Sequence, residues 1–170
     1  MPKRAWGPFW TNGSPSGNKQ AMRLESDESL VSLLSSVRRV AVVGASPKPD
    51  RPSHRVMRFL LEEGFEVVPV NPALTGQTLL GLPVYPSLAE VPGPVDMADI
   101  FRDSLVLPEI TEALIGLKIP AMWTQLGVTH LQAEQAALAA GINLVIDRCP
   151  AIEVPRLRKL GLLPAQPLRR

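Results

Sequence analysis

The stretch RRVAVVGAS holds an unbroken apolar run, Val40 to Val43, that stops at Gly44. A short apolar run closed by glycine predicts a strand buried on both faces, and such strands belong to parallel sheets. The loop PKPDRPSH follows, then RVMRFLLEEG and FEVVPVNP. Pro52-Ser53 is a good first-turn pair, and Val56, Phe59 and Leu60 share one helical face, so a helix is expected from there to Gly64. The unit from Arg38 to Pro72 therefore reads as strand, loop, helix, strand. A buried strand that ends on glycine just before a helix is where α/β proteins hold phosphate groups on backbone N–H donors.

The same alternation continues along the chain. Before the first strand, DESLVSLLSSV predicts a helix capped by Ser26 or Asp27, with Leu30, Leu33, Leu34 and Val37 on one face. After a turn-rich segment over 73–94 come a strand at 95–101, a helix at 105–117 and a strand from Pro120 to Leu126. A helix at 130–140 closes on Gly141, and a last strand covers 142–147. Strands and helices that alternate through short connections build a parallel sheet covered on both faces. Right-handed crossovers then carry the strand C-termini to one edge, where Gly44, Asn71, Phe101, Gln125 and Asp147 all arrive.

The basic isoelectric point has to be located before it means anything. Residues 1–23 carry four Lys or Arg and no acid, and residues 151–170 carry five against Glu153. The middle, with nine Lys or Arg against fifteen Asp or Glu, is acidic, which argues against a nucleic-acid-binding face. Residues 1–23, rich in Gly, Pro, Ser and Asn, are expected to be a disordered extension, 24–160 the domain, and 161–170 a basic tail. No apolar run is long enough to span a bilayer. The lone Cys149 and the missing secretory pattern point to the cytoplasm.

A glycine turn by itself does not name a ligand. The dinucleotide fingerprint needs three glycines as G-x-G-x-x-G and an acid ending the second strand to hold a ribose diol. Here one glycine is followed by Ser46 and a loop with Lys48 and Arg51, and the second strand ends at neutral Asn71. An amide with nearby cations tolerates a phosphorylated ribose that an acid would repel, so a phosphate-rich nucleotide is favoured over NAD.

VGASPKPDRPSHRVMRFLLEEGFEVVPVNP, then PVDMADIFR, QLGV and DRCPAIE, resembles the stand-alone CoA-binding-domain proteins of bacteria and archaea. These are similar to the N-terminal domain of the succinyl-CoA synthetase alpha subunit. The resemblance spans about Ser26 to Leu160 and implies a Rossmann-like three-layer sandwich, with a five-stranded parallel sheet, that binds coenzyme A or an acyl-CoA. By that resemblance the turn Gly44-Ala45-Ser46, with Lys48 and Arg51-Pro52-Ser53-His54 after it, should hold phosphates. Val70-Asn71-Pro72 should flank the adenosine end and Phe101-Arg102 the pantetheine path. Gln125-Leu126-Gly127 and Arg148-Cys149 should line the far side. In the synthetase the phosphorylated histidine belongs to a second domain, and neither His54 nor His130 takes its place. The expectation is thus a non-catalytic carrier, sensor or regulatory module. The alternatives are the CoA-binding subunit of a two-chain acyl-CoA ligase and an NAD(H)-sensing domain, and a protein partner stays open.

Several sharper readings compete with plainer ones. Ser46 with His54 lacks the G-x-S-x-G elbow of a hydrolase nucleophile, so phosphate contact or capping is expected. Cys149, beside Arg148 at the ligand edge, invites a mixed disulfide with CoA if a nearby cation lowers its pKa; the plainer reading is an inert, half-buried thiol. Two histidines and one cysteine share no metal-ligand spacing. Asp96 and Asp99, three apart on a strand, point to opposite faces. Trp123 is read as core or cleft wall. The segment VPRLRKLGLLPAQPLRR is read as an amphipathic surface helix with Leu157 and Leu160 packed on the body.

Overall fold

A computed structural model describes residues 21–169. The aromatic segment around Trp6, Phe9 and Trp10, and most of the expected extension, lie outside the described residues.

Five parallel strands form the sheet: β1 (Arg39–Val43), β2 (Glu66–Val70), β5 (Met97–Ile100), β6 (Ala121–Thr124) and β7 (Asn143–Val145), in the order β2-β1-β5-β6-β7. Between β2 and β5 a small hairpin pairs β3 (Thr78–Leu79) with β4 (Leu82–Pro83). Helices α1 (Asp27–Ser36), α2 (Pro52–Glu62) and α5 (Pro150–Lys159) cover one face, and α3 (Leu107–Leu117) and α4 (Leu131–Ala139) the other.

Strand periodicity divides the core in two. Val40, Val42, Met97, Ala121, Trp123 and Val145 pack under α1, α2 and α5. Ala41, Val43, Ala98, Ile100, Met122 and Leu144 pack under α3 and α4. Both sets are buried, which is why β1 carries no polar alternation. Helix starts follow local chemistry: Ser26 Oγ accepts from the Ser29 amide at 3.1 Å, and His130 Nδ1 accepts from the Ala133 amide at 3.3 Å. The backbone N–H of His130 in turn donates to Glu134 Oε2 at 2.9 Å, a reciprocal cap that accounts for His130.

The ends make contacts that composition does not show. The body begins before residue 24, because Met22–Leu24 runs parallel to β7 through Leu144 N to Met22 O, 3.0 Å, and Leu24 N to Leu144 O, 2.6 Å. That pairing covers an edge strand, a gain that Gly/Pro composition does not reveal. The basic tail is also docked: Leu163 is buried, and the Leu168 amide donates to Glu63 Oε1 at 3.1 Å. Finally, Leu157 is fully buried but Leu160 is exposed, since α5 has ended before it. Among the described residues no helix is long and apolar enough to cross a membrane.

Candidate functional site

The sheet changes winding direction at β1, which has β2 on one side and β5 on the other. At such a switch point the loops after the two central strands diverge and leave a crevice. Gly44 and Phe101 end those strands. The Gly44 amide donates to Val70 O at 2.9 Å, and the Phe101 amide to Val43 O at 2.8 Å, so three strand ends are tied together there.

A cleft of about 420 Å³ opens from this point. Pro52, Arg55 and Val56 of α2 form one wall, and Ala151, Ile152 and Cys149 at the start of α5 form the opposite wall. Phe101, Arg102, Gln125, Leu126 and Val128, from the loops after β5 and β6, close the third side. The interior is mainly apolar, while Arg55 and Arg102 are exposed cations at its border. Such a cleft suits a ligand with an anionic end and a long, weakly polar arm.

Six of the residues expected from sequence therefore meet in one cleft: Pro52, Phe101, Arg102, Gln125, Leu126 and Cys149. The others sit around it in different roles. Ser46 Oγ accepts from the Lys48 amide at 3.2 Å, and the Arg51 amide donates to Lys48 O at 3.0 Å, so the loop is wound on itself and leaves the Lys48 and Arg51 side chains exposed. Ser53 and His54 are buried, with His54 Nδ1 3.1 Å from Ser46 O; a carbonyl only accepts, so Nδ1 carries the proton. Asn71 uses both ends of its amide internally, donating to Ala45 O at 2.8 Å and accepting from the Ala73 amide at 2.9 Å. It thereby fastens the glycine turn to the end of β2, and Pro72 opens the short 3₁₀ turn that follows.

Several of the remaining expected residues make contacts within the fold. Ala45 and Val70 are buried in the core. The Gly127 amide donates to Asp147 Oδ1 at 2.6 Å. Arg148 turns away from the cleft, pairing with Glu153 at 3.1 Å and reaching Glu25 O at 3.4 Å. Trp123 is fully buried core, and its indole N–H donates to Arg148 O at 2.8 Å. The activated-thiol reading of Cys149 is also corrected: burial chiefly pushes its pKa up, and the Asp99 charge adds to this, against the pull of the Ala151 and Ile152 amides.

Sequence reasoning missed Arg55, Val56, Val128, Ala151 and Ile152 as cleft residues. Arg55 was reachable, being one turn beyond Arg51. Asp99, which strand alternation sets on the face opposite Asp96, lies fully buried in β5. Gln125 Nε2 donates to its Oδ1 at 2.9 Å, while burial lifts the carboxyl to about 7 against the opposing effect of that bond. Among the described residues no cluster of three or more His, Cys, Asp or Glu could hold a metal ion.

A doubly wound parallel sheet with a glycine turn and a cleft at its switch point defines a Rossmann-like domain. The chain belongs to the CoA binding domain family, which it matches over residues 38–155. YneT of Bacillus subtilis, described as uncharacterized, is 34% identical over 128 residues, covering 75% of this chain and 93% of YneT. ADP-forming acetate–CoA ligase I of Archaeoglobus fulgidus is 36% identical over 121 residues, covering 65% of this chain but only 17% of the ligase. The solved structure of cell-free ID.343 from Thermus thermophilus superposes with a TM-score of 0.75 at 38% identity, covering 78% of this chain and 99% of that one.

Proposed function

We propose that this protein binds coenzyme A or an acyl-CoA in the switch-point cleft and acts as a non-catalytic carrier, sensor or regulatory module in the cytoplasm. The observation that carries the reading is the pairing of an apolar cleft with Arg55 and Arg102 at its border, in a chain of the CoA binding domain family. A pantetheine arm matches the apolar interior, and the phosphates match the cations and the N-terminus of α2, which no side chain caps. The non-catalytic part of the reading is supported by how the polar candidates are used. Ser46 is engaged in its own loop, His54 is buried against a carbonyl, and Cys149 is shifted away from the thiolate.

One observation favours a second reading. The match to a domain that is only 17% of an acetate–CoA ligase suits a chain that supplies the CoA half of a ligase, with the remaining domains on a partner. Co-purification of such a partner with CoA-dependent acyl-phosphate exchange would support it. The primary test is calorimetric titration with CoA, 3′-dephospho-CoA and NAD. Saturable one-to-one binding of CoA, weakened by loss of the 3′-phosphate, is the expected result. Binding of NAD without CoA would overturn the reading in favour of a dinucleotide sensor.

A further inference from the structure

The cleft is polarised along the sheet edge. Its charged lining residues, Arg55 and Arg102, come from α2 and from the loop after β5. Arg55 Nη1 donates to Asp50 O at 2.7 Å, which ties it to the loop after β1 where Lys48 and Arg51 are exposed. The other end is built from Gln125, Leu126 and Val128 after β6, and from Cys149, Ala151 and Ile152 at the start of α5. None of these six is a cation or a carboxylate, and Arg148, next to Cys149, is paired with Glu153 at 3.1 Å. The strand order β1-β5-β6-β7 sets the two ends two to three strand spacings apart, roughly 10–14 Å.

The uncharged end is also the open one. Leu126 is 60% exposed and Ile152 53% exposed, although both line the cleft, on different walls. Large apolar side chains left in water at one end of a concave site gain most from a ligand that lays hydrocarbon against them. The polar groups of this end are otherwise engaged: Gln125 Nε2 donates to Asp99 Oδ1 at 2.9 Å, and the Ala151 and Ile152 amides are turned to the Cys149 sulfur. A carboxylate brought here would lose water without gaining a cation. Phosphates held at the cationic end direct a pantetheine arm across the cleft, so that its sulfur emerges at the apolar end. Resting on the CoA reading above, we infer that the cleft takes a CoA thioester whose acyl group is an uncharged hydrocarbon chain lying against Leu126 and Ile152, and that it disfavours a dicarboxylic acyl group. The chain is recognised by burial, and no bond is made or broken.

The test is a calorimetric series with CoA and its acetyl, butanoyl, hexanoyl and succinyl thioesters. Each methylene buried at the apolar end should tighten binding about threefold, so hexanoyl-CoA should exceed acetyl-CoA by more than roughly tenfold. Succinyl-CoA, which carries a carboxylate where butanoyl-CoA has its terminal methyl, should bind roughly tenfold more weakly than butanoyl-CoA. Leu126→Ser combined with Ile152→Ser should bring the hexanoyl-to-acetyl ratio to about two or less. Both side chains are more than half exposed, so the doubly substituted protein should fold. Reading a ratio within each protein separates chain recognition from any change in stability or in affinity for the coenzyme itself. The series and the succinyl contrast in the unaltered protein suffice if the substituted one does not fold. A flat or falling series, a ratio unmoved by the double substitution, or succinyl-CoA binding as tightly as butanoyl-CoA would each overturn this inference and leave the CoA reading standing. Failure to bind CoA and all four thioesters would overturn both.

Discussion

A Cβ placed on Gly44 would lie 2.8 Å from the carbonyl oxygen of Phe101, and Gly44 itself has φ +91°. Space and conformation both demand glycine where β1 passes β5, the point from which the cleft opens. Gly44→Ala should cost about 1–3 kcal/mol through the strained φ and the forced retreat of Phe101. It should also weaken CoA binding at least tenfold, because Phe101 lines the cleft. Urea unfolding and a CoA titration of the same preparation would measure both effects. Unchanged affinity would separate the turn from the ligand.

Arg55 lines the cleft and its Nη1 donates to Asp50 O at 2.7 Å, so the guanidinium is held near the loop it faces. A charge-assisted contact is worth about 1.5–3 kcal/mol. Arg55→Ala should accordingly weaken CoA by roughly 10- to 100-fold at low salt, with a shallower salt dependence. Pantetheine, which has no phosphate, should bind both proteins alike. Equal loss for pantetheine would mean that Arg55 shapes the wall instead of meeting an anion.

Much of this architecture was legible because burial on both faces writes itself into apolar runs. Val40–Val43 and the Leu30, Leu33, Leu34 stripe needed no tertiary knowledge. The strand ends were less clear, since Gln125 and Leu126 continue the pattern of β6 past its last residue, Thr124, and line the cleft. Asp99 was opaque for a different reason. Its burial depends on helices α2 and α5, far away in sequence, and nothing local separates a buried carboxyl from an exposed one. Asn71 was opaque in the same way: nothing local shows that its amide fastens the glycine turn to the end of β2.

Cys149 should react with a soluble aromatic disulfide more slowly than free cysteine at pH 7.5. The thiolate is the nucleophile, and burial holds its pKa above the ordinary value. Asp99→Asn should speed the reaction modestly by removing a nearby negative charge, and saturating CoA should slow it by filling the cleft. Reaction faster than free cysteine would reinstate the mixed-disulfide reading.

Glu63 receives a bidentate contact from Arg158, at 2.8 and 3.0 Å, and the amide of Leu168 at 3.1 Å. The Arg158 hydrogen bonds chiefly hold its pKa below the ordinary value. Its contribution is present above the unfolded pKa and is lost as pH falls through the folded one. Glu63→Gln should cost roughly 1–3 kcal/mol at pH 7 and much less in strong acid. Hydrogen exchange at Leu168 should accelerate in the variant, because the docked tail loses its anchor. An unchanged exchange rate would mean the tail is held by its apolar contacts alone.

Asp99 acts on stability in the opposite direction and in a different pH window. Its carboxyl ionises near 3.8 in the unfolded chain and near 7 when folded, chiefly because of burial. Between those values the folded state holds a proton that the unfolded chain has released, so stability falls as pH rises. The contribution is complete below the unfolded pKa and gone above about 7; a shift of this size corresponds to something on the order of 4 kcal/mol. Asp27 and Glu63, both held low by arginine, lose their contributions beneath their own ordinary values, and so act at the acid end of the scale. Thermal unfolding from pH 4.5 to 7.5 should therefore show a downward slope that Asp99→Asn flattens, since the amide never titrates. Parallel profiles for the two proteins would mean that Asp99 is already ionised in the folded state.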